Sequence, residues 1–176
     1  MHKESTLFKP HIIRAAKPAD MDAMQSLLIQ LYREEGYDCV HDLGTLGDAL
    51  FSFVAPMRLR ALVAEYEEKI VGVLLYYSGY DVSSASFGFH FADIIIHPHL
   101  RRNGIGRNLF ANMVAQCLAE KGQWVSLTVQ HKNAAARCFY QSLGFGKAKV
   151  DFYNIGISKM MLHAPVQMRL AVGISN

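Results

Sequence analysis

The stretch that most constrains the fold runs from Ala92 to Lys121, where an apolar strand, a glycine turn and a long amphipathic helix follow one another directly. Phe87, Phe89 and Phe91 alternate before the run Ile94-Ile95-Ile96, the pattern of a central strand covered on both faces, and Pro98 closes it after His97. From Gly104 to Lys121 the residues Leu109, Phe110, Met113, Val114, Cys117 and Leu118 gather on one side of a helix, with Gly122 as its C-cap. Between strand and helix stands Arg101-Arg102-Asn103-Gly104-Ile105-Gly106. Gly104 and Gly106 let backbone come close to a ligand, and the first N–H groups of the helix have no intrahelical acceptor. Those donors and the helix dipole both favour an anion. Arg101, Arg102 and Arg107 add positive charge to the same turn, so a phosphate ester is the expected ligand.

Glycine pairs also open turns for purely conformational reasons, so the flanking residues decide what kind of turn this is. A nucleotide-binding P-loop needs G-x-x-x-x-G-K-[ST], and no Lys-Ser or Lys-Thr follows. A dinucleotide fingerprint needs a third glycine where Leu109 stands. What is left is a diphosphate site of another kind.

The rest of the chain alternates short strands and helices, the mark of an α/β layer. Strands are predicted at Ile12–Arg14, Leu59–Tyr66, Ile70–Tyr77 and Trp124–Val129, with Glu67-Glu68 as a hairpin turn and Ser78–Ser86 as a polar loop. Helices are predicted over Ala19–Glu35, ended by Gly36, over Leu43–Phe53, and over Ala134–Leu143, with Asn133 as N-cap and Gly144 at the end. Two more strand-like runs follow at Lys149–Asn154 and Ile157–His163. The 176 residues suit one domain over residues 12–163, with an extension at 1–11 and a tail at 164–176.

Composition narrows the class further. Apolar residues are 51% and charged residues 19%, which excludes a disordered chain, and a net charge of +3 without a basic tract argues against nucleic-acid binding. Cys39, Cys117 and Cys138 have neither disulfide nor zinc spacing, so a reducing, cytoplasmic setting is expected. The polar N-terminus broken by Pro10 reads as no leader, and no apolar run is long enough for a membrane span. Eight histidines, His90, His97, His99 and His131 among them, show no H-x-x-x-H spacing with an acidic partner, so no metal is expected.

The run Arg101 to Gly106 resembles the R/Q-x-x-G-x-G/A pyrophosphate motif of the GNAT superfamily of acetyl-CoA-dependent N-acetyltransferases. The segment Asn133 to Phe145, NAAARCFYQSLGF, is similar to that family's N-x-x-A-x-x-F-Y-x-x-x-G-F. The resemblance covers most of the chain, from Ile12 to about His163. It implies an α/β GNAT fold: a mixed, mostly antiparallel sheet of six to seven strands, a splay between the central parallel fourth and fifth strands, and four flanking helices.

It also implies roles. Ile95, Ile96 and His97 would hold the pantetheine arm of acetyl-CoA, with an N–H near Ile95 facing the thioester carbonyl. Arg101, Arg102, Asn103, Gly104, Ile105, Gly106 and Arg107 would cradle the pyrophosphate, and Asn133 would steady the arm. Tyr140 would lie at the sulfur as general acid. A phenol with a pKa near ~10 is protonated at neutral pH and suits that role, whereas the alternative is a packed helix aromatic. An alkyl ammonium is only about one part in a thousand neutral at pH 7, so a proton acceptor is needed. Asp93 stands first as base, directly or through water, or as anchor for the cation; the alternative is an ion pair across the sheet.

The expected function is transfer of an acetyl group from acetyl-CoA to a primary amine by direct attack through a tetrahedral intermediate. The acceptor is a polyamine, an aminoglycoside, an amino acid or a peptide amine. Carboxylates and phenols at Glu34, Glu35, Tyr37, Asp38, Asp42, Tyr80 and Asp81 would attract such a cation, with Glu34, Tyr37, Tyr80 and Asp93 as the substrate-binding set; singly, each also reads as a solvated loop residue. The other class of reading is a non-catalytic acyl-CoA-binding or regulatory module with the same fold. The apolar Ile157–Leu162 run is compatible with a homodimer.

Overall fold

The computed structural model describes residues 10–36, 44–52 and 59–149. The chain divides into two compact units, Met1–Leu143 and Gly144–Asn176, and the elements below belong to the first. Tyr37, Asp38, Cys39, His41 and Asp42 lie outside the described residues, as do all of the two C-terminal strand-like runs except Lys149.

Five strands form one sheet in chain order: β1 (Ile12–Ala15), β2 (Leu59–Tyr66), β3 (Lys69–Asp81), β4 (Ser86–Ile96) and β5 (Trp124–Leu127). All neighbours are antiparallel except β4 and β5, which are parallel and therefore need a crossover. That crossover is α3 (Ile105–Ala119), after which α4 (Ala134–Ser142) follows β5. The helices α1 (Met21–Glu34) and α2 (Gly44–Phe51) pack with Val63, Val73, Leu75 and Ile95 on one face, and α3 packs with Leu62, Leu74, Phe89 and Phe91 on the other. Both faces being covered, β3 is buried without a break from Val71 to Tyr76. Among the described residues no helix is long and apolar enough to cross a membrane.

The hairpin at Glu67-Glu68 forms as expected, with both residues at positive φ (49° and 62°), the backbone a two-residue turn needs to match strand twist. The segment Ser78–Ser86 is not a loop. β3 runs on to Asp81 and β4 starts at Ser86, leaving only Val82–Ala85 as a turn. Gly79 and Gly88 pair across the two strands, and a Cβ on either would meet the Trp124 indole at 2.8 and 2.3 Å. These glycines make room for a ring; they do not mark a break. The serines bind Asp81, whose carboxylate accepts from the Ser83 N–H at 2.9 Å and from the Ser83 and Ser84 hydroxyls at 2.8 and 2.7 Å.

In α3 the buried row is Ile105, Leu109, Met113 and Cys117, spaced by four, so Leu118 falls beside the row and is 67% exposed. The helix ends with Lys121 at φ 63° and Gly122 N–H on the Cys117 carbonyl at 2.7 Å, so the left-handed position belongs to the lysine. Gly122 is required for closeness instead, because a Cβ there would lie 2.3 Å from the Cys117 sulfur.

One irregularity positions the site. Opposite β3, Leu75 pairs with Asp93 and Tyr76 with Phe91, so Ala92 is the extra residue of a bulge. Phe89 and Phe91 pack on the α3 face, yet Ile94 and Ile96 also face α3 while Ile95 faces α1. The bulge shifts the alternation by one residue, which turns Asp93 with its partner Leu75 to the α1 face.

Candidate functional site

The site begins where β4 and β5 part. Their pairing stops at Phe91 and Leu127, so among the described residues no strand covers the other edge of β4 from Ala92 to Ile96. That edge offers backbone donors and acceptors to an extended ligand. Ile95, 3% exposed, anchors it from inside, Ile96 is half-buried, and His97 is exposed at its end.

At the top of β4 the chain turns through Pro98–Leu100, with Arg102 at φ 68° and Gly104 at φ 81° immediately before α3. A Cβ on Gly104 would meet nothing within 4 Å. The surface there is open. Ile105, 1% exposed, sinks into the core and fixes the start of the helix. The first helical bond runs from Asn108 N–H to the Gly104 carbonyl at 3.0 Å, which leaves the N–H groups of Ile105, Gly106 and Arg107 without an intrahelical acceptor. Arg102 and Arg107 are exposed beside them, Arg107 reaching the Ser142 Oγ at 3.3 Å. Gly106 has a second task, since a Cβ there would stand 3.3 Å from the Phe139 ring of α4. Asn103 turns its amide to the Leu100 carbonyl at 3.3 Å.

Arg101 faces away from this group. Its Nε donates to the Ile96 carbonyl at 2.9 Å, and its Nη2 donates to both carboxylate oxygens of Glu34 at 2.8 Å. The structure thus joins Glu34, expected at the acceptor, to Arg101, expected at the pyrophosphate.

On the other side of the opening, Asn133 caps α4 by accepting the Ala136 N–H at 3.0 Å. Its amide donates to Glu35 Oε1 at 3.3 Å, and Lys132 Nζ donates to the Glu35 carbonyl at 2.8 Å. Tyr140, two turns along α4, lies edge-on to Phe91, the last residue of β4 that pairs with β5, with ring centroids 5.5 Å apart. Burial, with the charges of Asp93 and Glu35, pushes its phenol up to about 12. Burial and Glu35 likewise push the Asp93 carboxyl up to about 6. Asp93, Glu35 and Tyr140 therefore share one neighbourhood, from three different elements.

Glu35 is the member that sequence reasoning left out of the substrate-binding set, choosing its neighbour Glu34. The usable signal was Gly36 at the helix end, which fixes the last turn of α1 but not which of two adjacent glutamates points inward. Tyr80 is not brought to this group. It is 63% exposed and pairs with Phe87, six residues before Asp93 on β4, roughly 20 Å along the strand. Tyr37 lies outside the described residues. His90 bonds Ser126 at 3.0 Å, burial lowering its pKa, and the rings of His97 and His99 lie tilted to each other with centroids 5.5 Å apart. Among the described residues, no three His, Cys, Asp or Glu side chains are grouped as a metal site.

The chain belongs to the acetyltransferase (GNAT) family, whose model matches residues 21–145. Membership implies acetyl-CoA as cosubstrate. The open surface at Gly104, the three unpaired donors of α3 and the uncovered edge of β4 fit a pyrophosphate on an extended arm. A search of curated proteins finds no match. Among solved structures, the chain is similar to an aminoglycoside acetyltransferase from an uncultured soil metagenomic sample, at 20% identity over 86% of this chain and 99% of that one, with a TM-score of 0.68. It is similar too to a possible acetyltransferase from Clostridium difficile 630 (20% identity, 85% and 99% covered, TM-score 0.71). A third is the ribosomal-protein-alanine N-acetyltransferase of Brucella melitensis biovar Abortus 2308 (17% identity, 84% and 99% covered, TM-score 0.67). At these identities the likeness concerns the fold.

Proposed function

We propose that this chain acetylates a primary amine on a cationic acceptor, with Asp93 as proton acceptor and Tyr140 as proton donor. The observation that carries this reading is the pairing of two oppositely suited groups beside the uncovered edge of β4. One is a carboxyl raised to about 6 and the other a phenol raised to about 12. At neutral pH the first is mostly ionised and can take a proton, while the second is protonated and can give one.

The backbone edge from Ala92 to Ile96 would align the pantetheine arm, and the donors of Ile105, Gly106 and Arg107, with the Arg102 and Arg107 side chains, would hold the pyrophosphate. When bound, the cosubstrate supplies an activated thioester. The amine nitrogen bonds to the thioester carbonyl carbon, the carbon–sulfur bond breaks, the ammonium proton passes to Asp93, and Tyr140 protonates the departing sulfur. Asn133 contributes as the cap of α4 and Arg101 as a brace from β4 to Glu34, both supported by their bonding. Since similar folds include an aminoglycoside acetyltransferase and a ribosomal-protein-alanine acetyltransferase, amines of those kinds and polyamines are the acceptors to try first.

The test is release of free thiol from acetyl-CoA against a polyamine, an aminoglycoside and lysine- and alanine-ended peptides. Thiol release with at least one amine, lost in Tyr140→Phe, is expected. Tight acetyl-CoA binding with no release across the panel would favour the acyl-CoA-binding module instead.

A further inference from the structure

The last turn of α1 touches both halves of the site. Glu34 holds Arg101 at the cofactor turn, and the next residue, Glu35, holds Asn133 at the start of α4. Lys132 bonds the Glu35 carbonyl at 2.8 Å, so the end of α1 and the beginning of α4 are fastened by backbone as well as side chain. Glu35 is half-buried, whereas Glu34 is exposed. A carboxylate drawn in against a helix cap is there for what it orients or what its charge acts on.

We propose that Glu35 is a positioning residue of the transfer reaction, fixing through Asn133 the start of the helix that carries Tyr140 and setting, by its negative charge, the field that Asp93 works in. The inference rests on the catalytic reading of Asp93 and Tyr140 given above. The charged and titratable groups that act on Asp93 among the described residues are Glu35 from α1 and Tyr140 from α4. Of the two, Glu35 is the one that raises the Asp93 carboxyl, because a like charge nearby disfavours a second carboxylate. Its effect is to make Asp93 a better base. The hydrogen bond works in a second way: with Asn133 Oδ1 committed to the Ala136 N–H, the amide side of Asn133 is oriented by Glu35, which holds the cap and thereby the first turn of α4.

Charge and hydrogen bond separate experimentally, because Glu35→Gln keeps an acceptor for Asn133 and removes the charge, whereas Glu35→Ala removes both. The direct readout is the Asp93 carboxyl titration followed by NMR, which needs no turnover. Glu35→Gln is expected to move the midpoint down by about half a unit or more. An unmoved midpoint overturns the proposal.

In the kinetics, the wild type should gain kcat/KM through an acid limb that Asp93→Asn abolishes. Glu35→Gln should move that limb to lower pH by the same amount. Glu35→Ala should in addition lower kcat several-fold with the KM for acetyl-CoA unchanged, while a rise in that KM at constant kcat would contradict the positioning role. If Asp93→Asn keeps the limb, the catalytic reading of Asp93 fails and Glu35's part in the reaction fails with it. The NMR midpoint then shows separately whether Glu35 acts on Asp93.

Discussion

Arg101 donates from a single guanidinium nitrogen to both carboxylate oxygens of Glu34, each at 2.8 Å, and from Nε to the Ile96 carbonyl at 2.9 Å. The arginine that opens the glycine turn thus ties β4 to the end of α1. A half-exposed pair of this kind contributes about 0.2–1 kcal/mol. Glu34→Gln should therefore lower stability by under about 1 kcal/mol and leave the Kd for CoA within about threefold, measured by calorimetry at fixed salt. Arg102→Ala, removing an exposed cation at the turn itself, should weaken CoA about tenfold. If Arg101 is instead a phosphate ligand held back by Glu34, Glu34→Gln will tighten binding.

Tyr140→Phe keeps the ring that packs edge-on against Phe91 and removes the hydroxyl. The expected result is a fall in kcat of roughly 10²- to 10⁴-fold with the Kd for acetyl-CoA held. Because the phenol is pushed up to about 12, no alkaline loss of activity below about pH 10 should trace to this residue. A full kcat in the variant would remove Tyr140 from the proton path.

Asp93 links the site to stability. Its carboxyl titrates at about 6 when folded, against about 3.9 in an unfolded chain. Between these values the native state keeps a proton that the unfolded state has lost, so stability falls as pH rises from about 4 to about 6 and is level above. Asp93→Asn should raise stability by up to about 3 kcal/mol at pH 7.5, with the gain vanishing below about pH 4. Urea unfolding at the two pH values measures this, and an equal effect at both would disprove the assignment of burial as its cause.

Glu68 occupies the second position of the β2–β3 turn at φ 62°. A left-handed conformation costs a residue with a side chain about 1 kcal/mol that glycine does not lose, though glycine gives part of it back as unfolded-state entropy. Glu68→Gly should raise Tm by about 1–3 °C without altering kcat, whereas a lowered Tm would mean that the carboxylate matters more than the backbone.

Much of the fold was legible because its signals are local. Apolar period marked α3, Asn133 marked the start of α4, and Glu67-Glu68 between two β-rich runs marked the hairpin. The reading failed at Gly79, placed in a loop, where glycine together with Gly88 on the facing strand serves a tryptophan that arrives 36 residues after Gly88, a tertiary reason invisible to a local pattern. The site divides the same way. The turn, Asp93 and Tyr140 were singled out as candidates by motif and residue type, but the pairing of Arg101 with Glu34 and the approach of Glu35 to Asn133 depend on how α1 packs. The bulge at Ala92 also has no sequence mark, although it decides which face Asp93 takes.

On the proposed reading, the uncovered edge of β4 and the turn at Gly104 form one acetyl-CoA site facing Asp93 and Tyr140. A crystal structure with acetyl-CoA bound tests it most directly. Pyrophosphate oxygens should lie within about 3 Å of the N–H groups of Ile105, Gly106 or Arg107, with the arm paired to backbone between Ala92 and Ile96 and the sulfur within hydrogen-bond reach of the Tyr140 hydroxyl. A pyrophosphate bound elsewhere, or a thioester whose sulfur lies beyond the reach of Tyr140, would contradict it.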